Sequence, residues 1–335
     1  MAPIKQTTEY KSKLNVIETE EAIQLLKTTF KSSIQKRLNL IKFSSPLFFE
    51  DGNGLQDMLF GTQASVKFTT STQQNCQIIN SLAKWKRFAL TKYNFPVRKG
   101  ILCDANAMRI GEELSNQHSF FVDQWGWELR ISECERTIDF LKDIVQRIFE
   151  CYKDVEEKLI PKYPVLSKKL PKEIFFITAQ ELEDQYPDLT PEEREHAITR
   201  KHLAVFLIGI GHRLKRSKGS HGVRCPDNDD WDLNGDILFY NPILDICVEM
   251  SSMGIRVSRD SIVKQLALKN VTESAYLEFH KSVVSDKLVN SIGGSMGKSR
   301  VSMFFLEKHH IGEVQISVWP KEIIEEMEQK GVTLL

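Results

Sequence analysis

Apolar positions along the chain fall into two rhythms. Over residues 19–38, Ile23, Leu26, Phe30 and Ile34 recur every three to four positions, the spacing of one face of an amphipathic helix. Thr19 is expected to cap this helix, and Glu20 and Glu21 suit the positive end of its dipole. Residues 41–43 and 46–49 read as extended chain, and 81–92 as a short helix. Residues 100–109 and 119–131 turn to period two, with Phe121, Trp125 and Trp127 on one face of the second run and Phe120, Val122 and Gln124 on the other. The polar connection GEELSNQH makes the two runs an antiparallel hairpin with a long loop. The longest helix is expected over 135–159, broken at Pro161. Two shorter helices open with capping boxes, Thr178-Ala179-Gln180-Glu181 and Thr190-Pro191-Glu192-Glu193. Residues 204–210 read as a buried strand ending in Gly209 and Gly211. Further strands are expected at 237–239, 244–250 and 254–257, and the chain turns helical after Gly297. Strands dispersed among helices without strict βαβ alternation give an α+β fold with a central antiparallel sheet flanked by helices. No repeat, low-complexity tract or linker divides it, so one domain is expected over 1–335, with residues 1–17 disordered.

Composition narrows the class. Of 335 residues, 41% are hydrophobic and 27% charged, enough to fill a sizeable core. Lys plus Arg and Asp plus Glu both number 45, so the chain lacks the basic excess of a protein that grips nucleic-acid phosphates. The six cysteines, at 76, 103, 134, 151, 225 and 247, form neither a C-x-x-C pair nor a zinc spacing. They read as reduced thiols. With no apolar signal core or membrane-length run, the expected compartment is the cytoplasm, with no membrane partner.

Several segments carry candidate chemistry. Gly293-Gly294-Ser295-Met296-Gly297-Lys298-Ser299 looks like a phosphate loop but has one residue too few between its first glycine and Gly-Lys-Ser. Taken alone it reads as a tight turn and cap, with Arg300 on the first turn of the following helix. Glu249-Met250-Ser251-Ser252-Met253-Gly254-Ile255-Arg256 interrupts an apolar run with groups that are costly to bury unpaired. It is either an internal Glu249–Arg256 bridge or a ligand site with a metal near Glu249 and an anion near Arg256. Lys84-Trp85-Lys86-Arg87 reads as a solvated basic face. The basic loop 212–224, followed by Asp227, Asp229, Asp230, Asp232 and Asp236, is either mutually neutralised surface or a mobile lid over phosphate and metal. His309-His310 reads as structural.

The order of these segments resembles a known family. Asp51-Gly52 with Leu55-Gln56-Asp57, Ser81-Leu82-Ala83-Lys84-Trp85-Lys86-Arg87, Phe121-Val122-Asp123-Gln124-Trp125, Pro226-Asp227 with Asp229-Asp230-Trp231, Leu233-Asn234-Gly235-Asp236, Ser251-Ser252-Met253-Gly254-Ile255-Arg256 and Ile292-Gly293-Gly294 with Ser299-Arg300 are similar to the ammonia-dependent asparagine synthetases, the aspartate–ammonia ligases. The match runs from the first helix to Val318-Trp319-Pro320. The resemblance implies a homodimer built like the catalytic domain of a class II aminoacyl-tRNA synthetase, without an anticodon-binding domain. It implies ATP and Mg²⁺, with aspartate and ammonia as the other substrates and no stable nucleic-acid partner. The reaction would pass through a β-aspartyl-adenylate.

Residue roles follow from the same resemblance. Arg109 would bridge α-phosphate and carboxylate, Arg300 would cover adenine and phosphates from the far side, and Ser252 would line the ATP site. Glu249 and Asp236 would hold Mg²⁺. Lys86 and Arg256 would take the substrate α-carboxylate, with Ser81 and Gln124 in the same pocket. Asp57 would hold ammonium and accept its proton, and Asp229 would lie near the amino group or the ribose. One position departs from the family pattern: Gly126 stands where an aspartate would face the substrate amino group. That leaves room for water or a displaced side chain, and implies either that Asp123, Asp57 or Asp229 takes over or that activity is weakened. The rival readings are a catalytically silent synthetase-like binding protein and a tRNA-charging paralogue. Ammonia rather than glutamine is the expected nitrogen source, because position 2 is Ala2.

Overall fold

The computed structural model describes residues 10–56 and 65–335. The first helix, α1 (Val16–Leu38), starts three residues before the expected cap. Asn15 and Glu18 form a reciprocal capping box, whereas the Thr19 hydroxyl donates back to the Asn15 carbonyl at 2.7 Å. Ile23, Leu26, Phe30 and Ile34 are all buried, as their spacing predicts. Residues 10–15, expected to be disordered, are tied down. The Tyr10 hydroxyl donates to Glu313 at 2.9 Å, and Lys308 Nζ donates to Ser12 and Thr19 hydroxyls at 2.6 and 2.8 Å. A buried ammonium needs such acceptors, and the N-terminal segment supplies them.

After α1 come β1 (Leu40–Lys42), β2 (Phe48–Glu50), β3 (Lys67–Thr69), β4 (Asn75–Ile78), α2 (Ala83–Lys92), β5 (Gly100–Met108) and β6 (Phe121–Arg130). Then follow α3 (Ile138–Lys162), β7 (Phe175–Thr178), α4 (Ala179–Gln185), α5 (Pro191–His202), β8 (Ala204–Ile208), β9 (Asp229–Asn241) and β10 (Ile246–Arg256). The chain ends with α6 (Arg259–Leu268), α7 (Glu278–Val284), β11 (Ser291–Gly297), α8 (Lys298–Phe305) and α9 (Lys321–Gln329). Eight strands form one sheet in the order β1-β5-β6-β11-β10-β9-β8-β7, antiparallel except for the two outer pairs. β2, β4 and β3 make a small separate sheet. The fold is therefore α+β around a largely antiparallel sheet. The hairpin pairs Gly100 with Leu129 through Met108 with Phe121, and both capping boxes form where the sequence places them.

Three expectations are corrected. α3 runs through Pro161 and stops one residue later, at Lys162, so the proline marks the end of the helix rather than a break before it. The two strands expected at 244–250 and 254–257 are one strand, β10, whose register shifts at Glu249/Ser251 and Gly254/Arg256 re-aim its polar residues without breaking it. Gly293-Gly294 is not a turn but the middle of β11, between β6 and β10.

One sheet face packs on α1 and α3. Trp125 stacks on Phe30 with centroids 4.7 Å apart, and the Tyr152 hydroxyl donates to the Met250 carbonyl at 3.0 Å. The opposite face carries charge. Glu128 on β6 and Arg256 on β10 meet across the intervening β11, at 2.7 and 2.9 Å, and Gly293 is the residue they cross. A Cβ there would lie 2.0 Å from the Glu128 carboxylate and 2.6 Å from the Arg256 guanidinium. Gly293→Ala is expected to lower stability by about 1–3 kcal/mol through overpacking, read by urea unfolding; a change of a few tenths would mean that the ion pair can shift freely.

A second ion pair pins the 222–228 stretch to α2. Asp227 accepts from Lys84 at 2.6 Å and from His280 at 2.8 Å. Burial pushes its carboxyl up, but Lys84 and His280 outweigh this and hold it at about 2. The folded protein thus favours the ionised form. Its contribution is present above the ordinary carboxylate range, near 3.9, and is lost as pH falls through about 2. Asp227→Asn is expected to flatten the pH dependence of stability in that window; equal slopes for the two proteins would exclude this ion pair as its source.

Candidate active site

A cavity of about 310 Å³ opens on the charged face of the sheet. Ser81, Lys86, Arg109, Gln124, Asp229, Glu249, Ser252, Arg256 and Arg300 all line it, drawn from six separate stretches of sequence. Asp236 sits just behind the wall, reached through Arg224, which does line the cavity. Asp57 lies outside the described residues.

The elements explain these positions. Period-two alternation on β6 sends Trp125 and Trp127 into the core and Gln124, Gly126 and Glu128 toward the site. Arg109 directly follows β5, its N–H donating to the Phe120 carbonyl at 2.8 Å to extend the hairpin. Its guanidinium is 3.6 Å from Glu112, and its buried Nε finds no acceptor among the described residues. Across the cavity Arg300, on the first turn of α8, donates to the Glu249 carbonyl at 3.0 Å and stands 3.9 Å from its carboxylate. Two unspent guanidinium faces thus border one space, an arrangement suited to a polyanion.

Beneath them the charges are already matched. Arg256 is 4% exposed and takes Glu128 on one side and Asp229 on the other. Glu249 does not pair with Arg256, so the internal-bridge reading of 249–256 fails; its side chain is half exposed at the rim. Burial raises the Glu128 carboxyl, but Arg256 and then Lys86 bring it below its ordinary value. At Asp229 burial prevails over Arg256, and the carboxyl is pushed up.

Lys84, Lys86 and Arg87 are not a solvated face. All three are buried, because α2 lies across strand ends rich in carbonyls and acids. Arg87 donates to the carbonyls of Val257 and Val289 at 2.8 and 2.9 Å. Lys86 Nζ donates to those of Trp127 and Gly294 at 3.0 and 2.7 Å, and burial lowers its ammonium to about 8 against the pull of Glu128. Gly126 does not leave an open gap either. A Cβ there would meet Lys86 Cδ and Cys103 Sγ, both at 3.3 Å, so the lysine stem fills the space an aspartate would claim.

The aspartate run after the basic loop is neutralised, mostly by distant partners. Within it, Arg224 bonds Asp236 and His212 bonds Asp232 at 2.8 Å; Asp230 takes Arg136 at 2.9 Å. Burial pushes the Asp236 carboxyl up to about 7, with Arg224 opposing and Glu249 adding to the rise. No group of three His, Cys, Asp or Glu side chains that could cage a metal occurs among the described residues. Asp236 and Glu249, on adjacent strands, fit the other kind of site, in which one or two carboxylates share Mg²⁺ with substrate phosphates.

Two contributors lie outside the expected site residues, although Arg224 closes the 212–224 loop, for which a lid over phosphate and metal is one of the two expectations. Glu128 shares a strand face with Gln124, a signal that alternation could have supplied. Arg224 comes from irregular chain, where no periodicity points. His309 and His310 are buried against Tyr10 and Trp319 and are structural, as expected.

Among solved structures, the fold is similar to asparaginyl-tRNA synthetase from Pyrococcus horikoshii complexed with asparaginyl-adenylate, with a TM-score of 0.65 over 91% of this chain and 70% of that one, at 12% identity. Asparaginyl-tRNA synthetase of Entamoeba histolytica in complex with asparaginyl-adenylate gives 0.60 over 90% and 66%, also at 12%. At that identity the likeness shows the fold alone, that of a class II synthetase catalytic domain. Sequence relatives are much nearer. Aspartate–ammonia ligase of Clostridium tetani is 50% identical over 98% of this chain and 96% of the relative, and that of Fusobacterium nucleatum 47% over 97% and 99%. The family profile for aspartate–ammonia ligase spans residues 17–331. On a match of that length, the chain belongs to the aspartate–ammonia ligase family.

Proposed function

We propose that this protein makes L-asparagine from L-aspartate and ammonia in the cytoplasm, cleaving ATP to AMP and pyrophosphate through a β-aspartyl-adenylate. The observation that carries the reading is the convergence of nine dispersed residues on one cavity with arginines on opposite sides. Its fold neighbours include synthetases complexed with an asparaginyl-adenylate, and its close relatives are ligases by name.

The aspartate side-chain carboxylate attacks the α-phosphorus and pyrophosphate leaves. Ammonia then attacks the acyl carbon, AMP departs and one proton is lost. The first step presses a carboxylate on a triphosphate, and Arg109 and Arg300 offset that repulsion from two sides. Glu249 and Asp236 would hold Mg²⁺, which when bound would supply further positive charge against the phosphates. Ser252 lines the nucleotide side. Lys86 and Arg256 hold the α-carboxylate, with Ser81 and Gln124 as hydrogen-bond partners, and Asp229 lies near the amino group or ribose. Asp57 accepts the ammonium proton. The chain acts as a homodimer, and its balanced charge argues against a standing nucleic-acid partner.

Incubation with aspartate, ATP and Mg²⁺, with and without ammonium, tests the reading: ammonium-dependent asparagine is expected in step with AMP. Pyrophosphate exchange without asparagine would point to another acceptor, with tRNA tried next. Gly126 favours a second reading, a silent synthetase-like protein. If ATP binds and neither product forms, that reading wins, and Gly126→Asp becomes the rescue to attempt. In an active enzyme, Lys86→Met is expected to raise the aspartate KM by tenfold or more, on the order of a lost charged hydrogen bond, with little change for ATP. Because Lys86 is charged only below about 8, aspartate affinity is also expected to fall as pH rises through that value. A flat profile, or equal damage to both substrates, would remove Lys86 from the α-carboxylate site.

A further inference from the structure

Arg224 reaches the cavity differently from Arg109 and Arg300. It bonds Asp236 behind the wall, and its Nε is buried with no acceptor among the described residues. Burial works against its charge, but Asp236, Glu249 and Asp229 outweigh that and keep the guanidinium firmly protonated. It therefore sits among the same two carboxylates, Asp236 and Glu249, that suit a phosphate-bound cation.

Its tether differs too. Asp236 lies in mid-strand on β9, paired with Ser252 on one side and Leu207 on the other, and is fixed. The Arg224 backbone is irregular chain. Residues 222–224 make no backbone hydrogen bond among the described residues. Anchors stand on either side: His221 bonds Glu195 of α5 at 3.0 Å, and Asp227 is clamped by Lys84. An arginine on a short free span between two anchors can change partners without moving the sheet.

We propose that Arg224 is an internal stand-in for the divalent cation, neutralising Asp236 until a nucleotide arrives with its metal. The guanidinium then exchanges Asp236 for the phosphates, and the carboxylate passes to the metal. A metal ion alone does not complete this exchange. Mg²⁺ gives up its water reluctantly, and displacing Arg224 without an anion to receive it would strand a buried cation. The triphosphate removes that obstacle by offering Arg224 a replacement partner, so nucleotide and metal bind as a coupled pair. The idea rests on the proposed function only in taking the incoming ligand to be a metal-bound nucleotide.

The test uses Mn²⁺ alone, without ATP or aspartate, so it stands or falls independently of ligase activity. Mn²⁺ binding is read from the free-ion paramagnetic resonance signal for the wild type, Arg224→Gln and the double variant Arg224→Gln/Asp236→Asn, with circular dichroism as the check on folding. Arg224→Gln is expected to bind Mn²⁺ more tightly than the wild type by roughly fivefold or more, the lower end of ordinary site–site coupling, and the double variant is expected to lose the gain. A smaller gain, or one that survives Asp236→Asn, overturns the proposal. Should Arg224→Gln fail to fold, Asp236→Asn in the otherwise wild-type chain decides the matter. Mn²⁺ affinity unchanged to within about fivefold supports a masked carboxylate, and a larger fall overturns it.

Discussion

A guanidinium cannot shed its charge at any ordinary pH, so burying Arg256 commits this fold to supplying anions inside the sheet. Glu128 and Asp229 meet that demand from strands on either side of β10. Their placement dictates much else. The strand between β6 and β10 must present no side chain where the pair crosses, hence Gly293. The residual negative charge of Glu128 draws in Lys86, 3.8 Å away, and with it α2. Breaking such a pair from one side is far more damaging than never having built it. The network therefore serves as a scaffold for the cavity as well as part of its wall.

What the sequence reveals of this arrangement divides along a physical line. Local codes are legible. The stripe of α1, the hairpin of β5 and β6 and the two capping boxes each depend on neighbours a few residues away, and each forms as read. Misreadings occur where a residue answers to a distant partner. Lys84, Lys86 and Arg87 look solvated until the strand ends beneath them are known. The polar residues of 249–256 look like an interruption until β10 is seen to lie between β9 and β11, with bulges that turn them to the cavity. Glycines at 293 and 294 suggest a turn because close passage of an ion pair leaves no trace in one strand's own sequence.

The residues expected at the site converge for a different reason. No single motif pointed to the site, but the order of seven segments did, and the fold brings residues of five of them to one cavity. What order could not give is the electrostatic state of the site. Arg256 and Lys86 occur where a substrate carboxylate is expected, yet both are already engaged by acids or carbonyls. A ligand there would join an existing network rather than meet bare charge, so affinity would reflect a difference between two well-satisfied states.

The sheet's two ends carry a consequence of another kind. An eight-stranded sheet offers two open rims of backbone donors and acceptors, each a template for a stray strand. Here the rims are β1 and β7, of three and four residues. Each runs parallel to its inner neighbour and is continuous with a helix, α1 before β1 and α4 after β7. Among the described residues so little edge is left that another chain could add at most a few rungs to the central sheet.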